Sequence, residues 1–142
     1  GVTGVQTCAL PISKLYFSRM VLKKSRNLAL GSFGESRVAD FRLQQGDEIL
    51  DRNWRVREGE IDLVSLDKFG TFHFIEVKTR SSLAFGHPFE SISQVKLLRM
   101  QRLAMGWLVT HDCFGCEYSI DIASVLINPD GSHSFEFRAG VL

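Results

Sequence analysis

The sequence predicts an α/β domain with a central mixed β-sheet flanked by helices, in the order α-β-β-β-α-β-β. Three observations carry that expectation. Thr71–Arg80 is apolar on both alternating faces, the mark of a central strand covered on both sides. Ser91–Val109 repeats its apolar residues at helical spacing. Short strand-like runs bounded by turn residues lie on either side of these two segments.

The 142 residues suit one domain. A chain of this length buries roughly two thirds of its unfolded surface, so it needs no disulfide or metal to stay folded. With 44% hydrophobic and 23% charged residues, the composition excludes collagen, a long disordered tail and a coiled coil. No apolar run approaches the ~20 residues that span a bilayer, so no membrane partner is expected. A net charge of +1 argues against wholesale non-specific nucleic-acid binding, but a segregated basic patch remains compatible with it. Cys8, Cys113 and Cys116 give no disulfide framework, which points to a reducing, cytoplasmic setting. Cys113-Phe114-Gly115-Cys116 reads as loop cysteines, because zinc needs two further ligands and His111 supplies at most one.

Taken in order, Val2–Ile12 has no period, no acidic residue and no cap, and it resembles the conceptual translation of a sequencing adapter. Residues 1–19 are therefore expected to be a non-native leader, adapter-like translation followed by read-through. Met20–Leu142 is then a single domain. Without Lys14 and Arg19 it holds 15 basic against 16 acidic residues, a net charge of −1. The first helix is expected at Ser32–Gln45, with Ser32 as cap, Glu35 completing a capping box and Gly46 ending it. Strands follow at Glu48–Trp54, Glu60–Leu66 and Thr71–Arg80, with Asp67–Gly70 as the second turn. Gly86-His87-Pro88 is a loop before the long helix. Beyond the CxxC loop come a strand at Tyr118–Ile127, a turn at Asn128–Gly131 and a closing strand at Ser134–Arg138.

The central strand carries the anomaly. Phe72, Phe74, Glu76 and Lys78 share one face; His73, Ile75 and Val77 share the other. Charges in a doubly covered strand are costly unless paired or functional. Asp62 lies mid-strand in the preceding segment, with Ile61 and Leu63 pointing the other way. A short turn makes the two strands antiparallel neighbours, so Asp62 can face Glu76. Two close carboxylates repel unless a proton or cation sits between them, and a hard divalent cation suits their oxygens. A structural Glu76–Lys78 or Asp62–Lys78 ion pair competes with that reading. Lys96 falls inside the apolar face of the second helix and Arg99 at its margin. Lys96 either snorkels or reaches a buried anionic site. Glu35 is an inward charge on the first helix, either a capping residue or a fourth member of the cluster. His73, His87 and His111 form no cluster.

Gly34-Glu35, Arg52-Asn53-Trp54-Arg55, Gly59-Glu60-Ile61-Asp62, Glu76-Val77-Lys78-Thr79-Arg80, Phe85-Gly86-His87-Pro88 and Lys96 resemble, in this order, the motifs of the bacterial YraN family. The resemblance covers nearly all of Met20–Leu142. Ile120-Asp121-Ile122 sits where that family has its Phe-Asp-Val-Val-type strand, and Ser119 stands where many members carry an arginine. The family resembles the restriction-endonuclease-like PD-(D/E)xK superfamily, near the Holliday-junction resolvases. That resemblance implies a restriction-endonuclease-like core and a Mg2+- or Mn2+-dependent endonuclease acting on DNA, including branched repair or recombination substrates. Asp62 and Glu76 match its acidic ligands, Lys78 its catalytic lysine, Glu35 an early helical glutamate and Lys96 a later helical lysine. Gly59-Glu60-Ile61-Asp62 replaces a literal Pro-Asp. The metal would be held by Asp62, Glu76 and the Val77 carbonyl, with Glu35 on a second metal or its water. Arg52, Arg55, Arg57, Arg80, Arg99 and Arg102 are expected phosphate contacts. Trp54 packs on a base or in the core. A homodimer follows by analogy with the resolvases. Two alternatives stand beside the nuclease: a non-catalytic nucleic-acid-binding accessory protein on the same fold, and a structural domain with a neutralising ion-pair network.

Overall fold

The computed structural model describes residues 12–81 and 88–142. Helix α1 (Ile12–Gln44) is followed by β1 (Glu48–Val56), β2 (Gly59–Leu66) and β3 (Phe72–Arg80). A short 3-10 turn (Pro88–Ser91) leads into α2 (Gln94–Thr110), then β4 (Tyr118–Ile127) and β5 (His133–Arg138). The five strands form one sheet in the order β1-β2-β3-β4-β5. β1–β2, β2–β3 and β4–β5 pair antiparallel through short turns, whereas β3 and β4 pair parallel. Parallel neighbours need a crossover, and α2 supplies it.

All seven predicted elements are present in the predicted order, with one substantive correction. α1 begins at Ile12, not at Ser32. Ser32 is an exposed residue inside a continuous helix, so it caps nothing and no capping box exists. Gly46 does end the helix: at φ +93° it adopts the left-handed conformation, and Asp47 N–H closes onto the Arg42 carbonyl. α2 starts at Ser93, whose hydroxyl accepts the Lys96 N–H. The adapter-like stretch Val2–Pro11 and the Phe85-Gly86-His87 part of the loop lie outside the described residues. No helix among the described residues is long and apolar enough to cross a membrane.

β3 feeds two cores. Phe74 joins Val64, Leu103, Trp107 and Leu108 under α2, while Ile75 joins Leu63, Val38, Ala39 and Val125 under α1. Each such buried side chain contributes roughly 1.5–3 kcal/mol. Several of the polar groups left inside are satisfied in networks, whereas Thr79 Oγ1 and Arg80 Nε are buried without a hydrogen-bond partner among the described residues. Asp47 accepts from Arg42 and from Ser65. Asp121 is fully buried and accepts from Ser119 and from Gly140 N–H. Cys113 and Cys116 are free thiols in a tight turn.

α1 rests on β3 at one very close point. A methyl group added at Gly34 would overlap Thr79 Oγ1, and threonine, branched at Cβ, has little freedom to retreat. Glycine is therefore what lets the helix sit close enough to present the next residue, Glu35. Elsewhere in a helix, glycine to alanine stabilises by roughly 0.5–1 kcal/mol. Gly34→Ala should instead destabilise by about 1–3 kcal/mol in urea melts. Adding Thr79→Ala should recover most of the loss. A stabilised Gly34→Ala protein would show that the contact is not limiting.

His73 bridges two carboxylates, with Nδ1 2.6 Å from Asp121 Oδ2 and Nε2 3.0 Å from Asp67 Oδ2. The Asp121 bond, aided by Asp67, raises the imidazole pKa against burial and the nearby Arg42 charge. A raised histidine pKa stabilises the fold fully below the unfolded value of 6.5, and that contribution is lost as pH rises through the folded value. His73→Gln should therefore cost roughly 2 kcal/mol more at pH 6 than at pH 9. Equal costs at the two pH values in urea melts would refute this ion-paired bridge.

Candidate functional site

The β2–β3 ladder runs from Leu66↔Phe72 to Leu63↔Ile75. At the next residue the regular alternation of β2 fails: Ile61 packs in the α2-side core and Leu63 in the α1-side core, not on one shared face as expected. Asp62 lies between them and accepts the Val77 N–H through Oδ2 at 2.8 Å. The side chain thus stands in for a strand carbonyl where the strands part. It is only 8% exposed. Burial first, then Glu76, push its pKa up to about 7; the Val77 N–H opposes them, and Glu35 and Glu60 add smaller repulsions.

Glu76 faces Asp62 from β3, as the alternation predicts. Its Oε1 receives two ammonium groups, Lys96 at 2.6 Å and Lys78 at 3.2 Å. The expected Glu76–Lys78 pair is therefore real, and Lys96 does not snorkel but completes it. For Lys96, burial acts downward, but the bond to Glu76, the contact with Lys78 and the charges of Glu76 and Asp62 together outweigh it, and its pKa rises. Lys78 is shifted down, by burial and then by Lys96. Lys96 occupies the first turn of α2, where the helix dipole disfavours a cation. The Glu76 carboxylate offsets that cost.

Glu35 reaches the cluster from α1 and accepts from the Asn53 side chain at 3.0 Å. Asn53 is held at φ 51°, a conformation in which asparagine is several-fold enriched. This residue was not singled out from sequence, although it lies inside Arg52-Asn53-Trp54-Arg55. Glu35, Asp62, Glu76, Lys78 and Lys96 thus act on one small region, from four different elements. Among the described residues no three carboxylate, imidazole or thiol side chains are grouped closely enough to hold a metal ion. Of the expected ligands, Glu76 is engaged by the two lysines, Asp62 by the Val77 N–H and Glu35 by Asn53.

The arginines divide. Arg99 lines a small cavity of 210 Å³ with Glu76, Lys96, Glu60 and Leu103. It also lines the adjoining groove of 730 Å³ between β1 and α2, with Arg102, Trp54 and Leu103. Arg55 is exposed and pairs with Glu60 at 3.0 Å. Arg52 and Arg57 are exposed on β1 and the β1–β2 turn. Arg80 stands apart from these, in a pocket between α1 and β3 with Asn27, Gly31 and Lys78.

A mixed sheet between two helices, with paired carboxylates and lysines where two central strands part, defines an α/β protein with a charged cluster at the centre of its sheet. Comparison with known proteins gives its family. Residues 34–125 match the model of "Uncharacterised protein family UPF0102". The chain is 45% identical over 113 residues to a UPF0102 protein of Beutenbergia cavernae, covering 80% of this chain and 95% of that protein. It is 43% identical over 122 residues to one of Paenarthrobacter aurescens, covering 86% and 99%. A third, from Trichlorobacter lovleyi, is 41% identical over 106 residues, covering 75% and 83%. The chain belongs to the UPF0102 family.

The raised Asp62 pKa has a direct consequence. A carboxyl whose folded pKa is about 7 against 3.8 unfolded makes the fold most stable below 3.8, and that stability is lost as pH rises through 7. Asp62→Asn keeps an acceptor for Val77 N–H and removes the charge. It should gain on the order of 2 kcal/mol at pH 8, less than the full shift because an amide is itself costly to bury. The gain should vanish near pH 4. Equal stability of the two proteins at pH 8 would contradict the buried like-charge account.

Proposed function

We propose that this protein binds nucleic acid on a nuclease-like fold, gripping phosphates along α2 and the β1–β2 hairpin without requiring turnover. The observation that carries this is Arg99, which lines both the Glu76–Lys96 cavity and the neighbouring groove with Arg102. Lys96, Arg99 and Arg102 thereby follow one another from the carboxylate cluster outward, with Glu58 and Glu60 among them. Guanidinium–phosphate contacts give affinity without sequence readout. The ion pairing of Glu76 supports binding over catalysis, since that carboxylate is already held by two lysines.

A second reading has its own support. Asp62 and Glu76 repel each other, and the lysines do not relieve Asp62, whose pKa stays near 7. Mg2+ or Mn2+ held by Asp62 and Glu76 would neutralise both charges and supply the Lewis acid for DNA phosphodiester hydrolysis, with Lys78 beside the reacting phosphate. Branched repair or recombination intermediates are the substrates this reading names.

One set of measurements separates the two. Arg99→Ala and Arg102→Ala should each weaken binding in EDTA equally across sequences. Each should flatten the plot of log affinity against log salt by about one unit. An affinity loss confined to one sequence, or no nucleic-acid binding by the wild type, would sink the binding reading. Forks, junctions, flaps and single strands incubated with Mn2+ test turnover. Cleavage that Asp62→Asn abolishes would establish the second reading; intact substrates and no metal-induced rise in Tm would end it.

A further inference from the structure

The groove beside the carboxylate cluster has the wrong lining for a duplex. Trp54 and Val56 of β1 form one wall, and Leu103, Gly106 and Thr110 of α2 form the other. Arg99, Arg102 and Glu58 stand among them. A double helix offers a narrow groove only phosphate and sugar, because its base faces are stacked inside. An unpaired nucleotide offers a flat apolar base, polar base edges and an anionic phosphate together. From this lining we infer that the groove receives an unpaired base next to the carboxylate–lysine cluster. The natural ligand is thus a single strand, or a single-stranded portion of a larger nucleic acid. The inference rests on the nucleic-acid reading and narrows it.

Several features fit that occupant. The volume of 730 Å³ exceeds what a nucleoside needs and lies in the ordinary range of ligand sites. Trp54 is half-buried and packs against the α2-side core, which holds the indole in place along the groove. Gly106 lies beside the tip of the indole: a Cβ at that position would meet Trp54 Cη2 at 3.8 Å, an ordinary contact. A base would therefore lie along the exposed part of the groove next to Trp54, and a larger side chain at Gly106 would intrude on it. Glu58 presents acceptors to base edges and the arginines present charge to the flanking phosphate, while the Thr110 hydroxyl is held by the Gly106 and Trp107 carbonyls. Leu103 and Arg99 continue into the cavity of Glu76 and Lys96. The nucleotide next along the strand therefore meets the cluster itself.

The test uses the full chain in EDTA with fluorescein-labelled 20-nucleotide oligo-dT and a 20-base-pair duplex. The wild type should bind the single strand at least several-fold more tightly than the duplex. Gly106→Leu fills the groove from the helix side, at a half-buried position beside Trp54. It should lose roughly tenfold in single-strand affinity, the scale of one base–aromatic stack, and leave the duplex affinity unchanged. Trp54→Leu should do the same; Gly106→Leu keeps the test decisive if Trp54→Leu fails to fold. Single-strand affinity unchanged in Gly106→Leu, or equal losses for both ligands, would overturn the groove assignment while leaving nucleic-acid binding intact. Absence of wild-type binding to either ligand would overturn both.

Discussion

One oxygen atom, Glu76 Oε1, is shared by two ammonium groups, and much of the architecture serves to bring them there. Lys78 arrives along the same strand, two residues on, by the alternation of β3. Lys96 arrives from the helix packed on that same face of the sheet, on the first turn of the crossover helix. Neither contact alone would justify placing a carboxylate here, because Asp62 already occupies the adjoining buried position and repels it. The cluster is a compromise between two carboxylates that the strand geometry forces together and two lysines that compensate only one of them well.

Local devices hold that compromise in place. Ser93 fixes the start of α2, and with it the height at which Lys96 leaves the helix. The Gly34–Thr79 contact fixes how near α1 lies to β3, and therefore how near Glu35 lies to Asp62. Asn53 turns β1 back toward Glu35 through a conformation that most residues avoid. Each device spends conformational freedom on position, which is the usual signature of a site and not of a plain core.

The strands, the crossover helix and the Asp62–Glu76 juxtaposition were all legible in the sequence, because each follows from period-two or period-3.6 patterning. The charged side chains at Glu76 and Lys96 stood out against apolar faces, and the structure brings them together. What patterning could not give was the break at Ile61–Leu63. A ladder that ends, with a side chain replacing a carbonyl, leaves no mark in hydrophobic order. The start of α1 was misread for a related reason: residues 18–29 are exposed all round, so they show no apolar stripe, and Ser32 and Glu35 imitate a capping box within a continuing helix. The division of the arginines was equally hidden, since Arg80 and Arg99 look alike in sequence and line different pockets.

The mixed pairing of the sheet also orders events in time. β1, β2 and β3 form a meander closed by short turns, so Asp62 and Glu76 meet early and cheaply. β3 joins β4 only after the crossover has closed; the His73–Asp121 bond, for instance, spans 48 residues. Long-range closures of this kind are the slow part of folding. Lys96 sits on that crossover, so its pairing with Glu76 depends on the long-range closure of β3 on β4, whereas the meeting of Asp62 with Glu76 depends only on the local meander. The two halves of the site's charge therefore rest on contacts of very different range in the chain.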